Sequence, residues 1–158
     1  MLAIVIIVLS VILDQLTKYF ANIYLEPVES VPIIKNIVHL TYVENSGAAF
    51  SILQNQRLIF IPITIIIIIA VGYLLITKKI VKKTGIIAAA LIIGGGIGNL
   101  IDRVFKGYVI DFIDLKVIHL AIFNVADSCV FIGAILGFIW YFFYDKRVVG
   151  ELNGKENT

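Results

Sequence analysis

The chain has 158 residues, of which 60% are hydrophobic and only 15% charged, and its mean hydropathy is +1.02. A water-soluble domain carries roughly a quarter charged residues, so this composition excludes an ordinary soluble domain or a disordered chain and points to an integral membrane protein. The net charge of +2 is too small for a nucleic-acid binder, and a single cysteine, Cys129, excludes an internal disulfide.

In chain order, Leu2 to Leu25 reads as a first transmembrane helix with polar residues in its outer half. No Lys or Arg precedes it, and Tyr19-Phe20-Ala21-Asn22 offers no small-x-small cleavage site, so it is not read as a signal peptide. The loop 26–57 contains a strand-like stretch, Ile37 to Val43, and a turn-like one, Asn45-Ser46-Gly47-Ala48-Ala49-Phe50. A second span is expected over 58–76. A short turn with Lys78, Lys79, Lys82 and Lys83 follows, then a third span over 85–101 with Gly94-Gly95-Gly96-Ile97-Gly98 inside it. Glycines at this spacing suit close helix contacts in a membrane. The loop 102–124 carries a second strand-like stretch, Phe112 to Phe123, and a fourth span is expected over 125–144. The polar tail from 145, frayed from Val148, completes the chain. The expectation is an all-α membrane protein, a single domain of four transmembrane helices with a small extracytoplasmic β-sheet. Each span is near the 20 or so residues that cross a hydrocarbon core of about 30 Å. The lysine turn and the basic tail outweigh the basic residues of the two longer loops, so both termini are expected in the cytoplasm.

The polar residues carry the information in a chain that avoids them. Asp14, Asp102, Asp111, Asp114 and Asp127 all fall at one level, in or beside the outer half of the membrane. Charge in lipid costs at least a few kcal/mol, so such residues face an interior or a wet cavity. Asp14 and Lys18, four apart, are either an internal ion pair or part of a substrate contact. Asp102 and Arg103 either mark the water interface or join a site with Asn99. Asp111 and Asp127 are 16 positions apart, so the segment between them must fold back to unite them. Two facing carboxylates hold one proton between them, and such a pair can take a proton from water and give one to a leaving amine.

Other chemistries lack their residues. His39 and His119 are isolated and there is no H-E-x-x-H, so a zinc protease is not indicated. Ser46 and Ser128 have no evident base, Cys129 reads as packing, and Trp140 to Tyr144 reads as an interfacial aromatic belt. A proton-coupled transporter would place its acids near mid-membrane. A non-catalytic lipid or signal-peptide binder would not need both Asp111 and Asp127.

In order along the chain stand Asp14-Gln15-x-x-Lys18, Asn45-x-Gly47-Ala48-Ala49-Phe50, Gly94-Gly95-x-x-Gly98-Asn99-x-x-Asp102-Arg103, Val109-x-Asp111-Phe112 and Phe123-Asn124-x-Ala126-Asp127. With these blocks the chain resembles the lipoprotein signal peptidases (type II signal peptidases), bacterial aspartyl proteases of the cytoplasmic or inner membrane. The resemblance covers about Leu2 to Tyr144. It implies a catalytic pair at Asp111 and Asp127, and substrate-binding residues at Asp14, Lys18, Asn45, Gly47, Asn99, Arg103 and Asn124. It further implies hydrolysis near the outer face, with no metal or other cofactor and no nucleic acid. The implied partners are membrane lipid and diacylglyceryl-modified prolipoproteins, cut on the amino side of the lipidated cysteine. The path of 112–124 is left open by the resemblance.

Overall fold

The structure, a computed structural model, describes residues 1–47, 57–118 and 121–144. Ala48-Ala49-Phe50, His119 and the tail from 145 lie outside the described residues.

Among the described residues, four helices are long and apolar enough to cross a membrane: α1 (Leu2–Tyr24), α2 (Arg57–Ile76), α3 (Lys83–Phe105) and α4 (Val125–Tyr144). Their outward side chains, such as Leu9, Ile66 and Phe138, are exposed apolar groups. Exposure of that kind suits lipid and not water. Among the described residues, β1 (Ser30–Ile34), β2 (Val38–Asn45) and β3 (Val109–Leu115) form one antiparallel sheet in the order β1-β2-β3. The chain is therefore a multi-pass membrane protein, mostly helical, with a small sheet where α1 and α3 end and α2 and α4 begin. Ala21 and Leu25 of the first segment pack with Ile110 and Phe112, which seats β3 on the helices.

Three boundaries differ from expectation. The third span, expected over 85–101, runs through Asp102 to Phe105. Asp102 is fully buried and ion-paired to Lys18 at 2.8 Å and to Lys106 at 3.1 Å, so its charge does not end the helix. The end comes at Gly107, whose φ of 87° is open to glycine, and whose N–H, like that of Lys106, donates to Asp102 O. The second difference is β1, which sequence reading left as loop. Pro32 weakens its strand signal, but β1 lies at the sheet edge, where a missing N–H is tolerated. Its turn into β2 places Asn36 at φ 61°. The third is the strand expected over Phe112 to Phe123. β3 spans Val109–Leu115, because Val109 to Phe112 are all buried against the helices, and a 3-10 turn, Lys116–Ile118, takes the chain away. The chain returns at Phe123, which exchanges backbone hydrogen bonds with Ile113 at 2.8 and 3.1 Å.

Helix α3 packs against α1, α2 and α4. Its glycines permit this. A Cβ at Gly94 would stand 2.7 Å from Ser10 Cβ, and one at Gly98 would stand 2.6 Å from Asp14 Oδ2. On the α4 side, a Cβ at Gly95 would collide with Ala126 O. Gly98→Ala is accordingly expected to lower stability by about 1–3 kcal/mol, as overpacking does, despite alanine's better helix propensity. Thermal melting in detergent checks this, and an unchanged melting temperature would contradict the close approach. At the other end of the bundle Trp140 packs towards α3, since a Cβ on Gly85 would come within 2.9 Å of its indole.

Candidate active site

The site is built outward from the start of α4. The first helical N–H groups have no partner within the helix, so a side chain must supply acceptors. Asn124 Oδ1 accepts from Asp127 N–H at 2.9 Å, and Asp127 Oδ2 accepts from Asn124 N–H at 3.2 Å. This reciprocal pair is a capping box with Asn and Asp in place of the commoner residues. It holds Asp127 in the first turn, half-buried, with its carboxylate turned back towards the sheet. The neighbouring Ala126 N–H is capped from another helix, by Asp14 Oδ1 at 2.9 Å.

The same Asn124 side chain reaches β3. Its Nδ2 donates to Asp111 Oδ1 at 2.7 Å. Asp111 Oδ2 accepts from Asn45 Nδ2 at 2.8 Å, at the end of β2. From α3, Asn99 Nδ2 donates to Asp127 Oδ1 at 2.7 Å. All four oxygens of Asp111 and Asp127 thus accept a hydrogen bond, and Asn124 touches both residues. The 16-position separation is closed by the return of the chain at Phe123.

The orientation of each asparagine is set by a partner that can only donate. Asn45 Oδ1 accepts from Gly47 N–H at 2.9 Å, Asn124 Oδ1 from Asp127 N–H, and Asn99 Oδ1 from Lys18 Nζ at 2.9 Å. With each oxygen committed, each NH2 must face a carboxylate. Asp111 is almost fully buried. Burial, and then the negative charge of Asp127, push its carboxyl up to about 6, against the downward pull of the Asn45 and Asn124 hydrogen bonds and the Lys18 charge. Asp111 therefore exchanges its proton near neutrality, as acid–base work requires.

Arg103 projects from α3 beside the pair. Its Nη2 donates to Gly47 O at 3.3 Å, and its guanidinium lies 5.4 Å from the centroid of the Phe60 ring on α2. Its charge acts on both Asp127 and Asp111.

Behind this front lies an ionic cluster. Lys18, fully buried, donates to Asp14 Oδ2 at 2.8 Å, to Asn99 Oδ1 and, at 2.8 Å, to Asp102 Oδ2. Lys106 meets the other oxygen of Asp102, and Gln15 donates to Asp14 Oδ2 and Gly98 O, each at 3.2 Å. Sequence reading gave no site role to Gln15, Lys106 or Phe60. Gln15 was visible beside Asp14, and Lys106 stands four residues after Asp102, but nothing local marks Phe60. Of the seven residues implied for substrate binding, the structure brings Asn45, Gly47, Asn99, Arg103 and Asn124 around the two aspartates, and sets Asp14 and Lys18 behind them.

Asp114 stands apart. It accepts from Lys116 at 2.6 Å and Thr41 at 3.0 Å and faces His39 in the sheet register. Burial pushes its carboxyl up, but the Lys116 and Thr41 hydrogen bonds with the Lys116 and His39 charges outweigh it and hold it below the usual range.

A family model described as Signal peptidase (SPase) II matches residues 6–143. A lipoprotein signal peptidase of Caldanaerobacter subterraneus subsp. tengcongensis is 53% identical over 142 residues, 89% of this chain and 97% of its own. That of Clostridioides difficile is 44% identical over 147 residues, covering 93% and 99%. A bacterial membrane enzyme structure solved in meso at 2.3 Å superposes with a TM-score of 0.80 at 35% identity, over 99% of this chain and 90% of that one. Another, at 1.9 Å, gives 0.81 at 38% identity, over 90% and 94%. The family model and relatives near or above 44% identity span almost the whole chain, site included, and the chain belongs to the signal peptidase II family of membrane peptidases.

Proposed function

We propose that the protein is an aspartic endopeptidase that removes signal peptides from diacylglyceryl-modified prolipoproteins by cutting on the amino side of the lipidated cysteine, with Asp111 and Asp127 as the catalytic pair. The observation that carries this reading is the single hydrogen-bonded frame around the two carboxylates. Asp127, which accepts from Asn99 Nδ2 and Asn124 N–H in the first turn of α4, acts as the base, and Asp111 carries the exchangeable proton. The Asp127 carboxylate removes a proton from water, and the water oxygen adds to the scissile carbonyl carbon while Asp111 gives its proton to the carbonyl oxygen. The gem-diol then collapses. The proton on Asp127 passes to the amide nitrogen, Asp111 takes back a hydroxyl proton and the C–N bond breaks. A carboxyl end remains on the signal peptide and a free amine on the cysteine, and both aspartates return to their starting states. Arg103 offers its fork of donors to substrate backbone carbonyls, and Asn45 and Gly47 stand beside it, one donating to Asp111 and the other accepting from Arg103. Acyl chains add about 0.8 kcal/mol per buried methylene and keep the substrate in lipid.

The test is purified protein with a lipidated prolipoprotein and mass mapping of the products. A single cut before the modified cysteine is expected, and a cut elsewhere, or none, would overturn the reading.

The lysine turn supports a topology with both termini in the cytoplasm and the sheet and site at the outer face. Reporter fusions after Lys83 and after Lys106 should therefore report opposite sides. Equal reports would break this topology.

The pH dependence follows from Asp111, which faces Asp127 on α4, Arg103 on α3 and Lys18 on α1. As the proton carrier it must be protonated, and its carboxyl sits at about 6. kcat/KM should fall as pH rises through about 6, reporting the free enzyme. Bound substrate excludes water and raises the carboxyl further, so the corresponding fall in kcat should come at higher pH. Rate profiles that rise through this region would assign Asp111 the opposite role.

A further inference from the structure

We propose that Lys18 is a positioning residue for the reaction: its ammonium sets which end of the Asn99 amide faces Asp127, and so keeps Asp127 supplied with a donor while it acts as a base. This rests on the catalytic reading of Asp111 and Asp127 above.

A buried ammonium is costly unless paired, and Asp14 and Asp102 suffice to neutralise it. The cluster of Asp14, Lys18, Asp102 and Lys106 is neutral in sum. Lys18 nonetheless has a third contact, to Asn99 Oδ1 at 2.9 Å. An ammonium has donors and no acceptor, so the oxygen of Asn99, not its NH2, must face it. Asn99 Nδ2 is then aimed at Asp127 Oδ1, 2.7 Å away. Asn124 Nδ2 adds a second, longer donor to Asn99 Oδ1 at 3.2 Å and favours the same orientation. Turning the Asn99 amide over would set NH2 against ammonium and oxygen against carboxylate, two repulsive contacts at once.

The other two asparagines show why a lysine is needed here. Asn45 and Asn124 lie at the edges of elements, where backbone N–H groups of Gly47 and Asp127 are open to clamp their oxygens. Asn99 lies within α3, where the backbone N–H groups are already committed to the helix. A donor must come from a neighbouring helix, and α1 supplies it. Lys18 is fully buried behind Asn99, so its loss should act on turnover and not on binding.

Beside Lys18 a cavity of about 380 Å³ is lined by Gln15, Lys18, Tyr19, Asn22 and Lys106. Lys18→Ala joins the vacated space to this cavity, which permits chemical rescue. The expected result is folded protein with kcat lower by about 10–100-fold, the range typical when an orienting partner behind a reacting group is lost, and KM changed by no more than about twofold. Ethylammonium or propylammonium should restore kcat saturably, with propanol at equal concentration having no effect. Folded Lys18→Ala with wild-type kcat, or with a low kcat that neither ammonium restores, would overturn the proposal. If the alanine variant fails to fold, Lys18→Ala/Asp102→Asn removes one negative charge with the lysine and carries the same test against Asp102→Asn alone. Asp111→Asn and Asp127→Asn are assayed alongside. Cleavage by either would sink the catalytic reading itself, whereas two inactive aspartate variants with an unrescued Lys18→Ala would sink only the positioning role.

Discussion

Asp111→Asn and Asp127→Asn should each lower prolipoprotein cleavage by about 10³-fold or more, and the double variant should be little worse than either. The two act as one unit because a proton leaves one as the other accepts, so losing either carboxylate removes the whole relay. The structure adds a local effect. Both oxygens of Asp111 accept an asparagine NH2, so an asparagine at 111 must set one of its own donors against another. Folding therefore has to be read separately, by thermal melting, and binding of the lipidated substrate should survive because acyl and helix contacts remain. Substantial cleavage by either folded single variant would move the catalytic role elsewhere. Asp114 and Asp14 would be next, although Asp114 is engaged by Lys116 and Thr41 and Asp14 caps α4.

Asn124→Ala should have the next largest effect, because one side chain does two jobs. It caps α4, a contribution of about 1 kcal/mol, and it donates to Asp111. Both stability and turnover should fall, the latter by about 10²-fold. The donor favours the ionised form of Asp111, so its loss should raise that carboxyl above about 6 and move the fall in kcat/KM to higher pH. Asn124→Ser separates the roles. Serine caps about as well as asparagine, but it is too short to cap and reach Asp111 together. Its melting temperature should return towards wild type while turnover stays low. Recovery of both would mean that Asn124 serves the helix alone.

The amino-acid sequence by itself determined the four spans and the level of the acids. These are local matters: lipid demands about 20 apolar residues in helical form. Tertiary structure decided the rest. The charge at Asp102 looked like the end of a span, because its neutralisation by Lys18 depends on α1 lying against α3, more than 80 positions away along the chain. Strand β1 emerged only because β2 offered it an edge that tolerates Pro32. The orientation of Asn45, Asn99 and Asn124 was invisible in sequence, since an amide reads the same either way until a donor-only partner stands on one side of it. Whether Asp14 and Lys18 were an ion pair or a substrate contact could not be read from their spacing alone. The packing of α1 and α4 against α3 placed their partners around them, because glycines at 94, 95 and 98 leave no side chain to keep the helices apart.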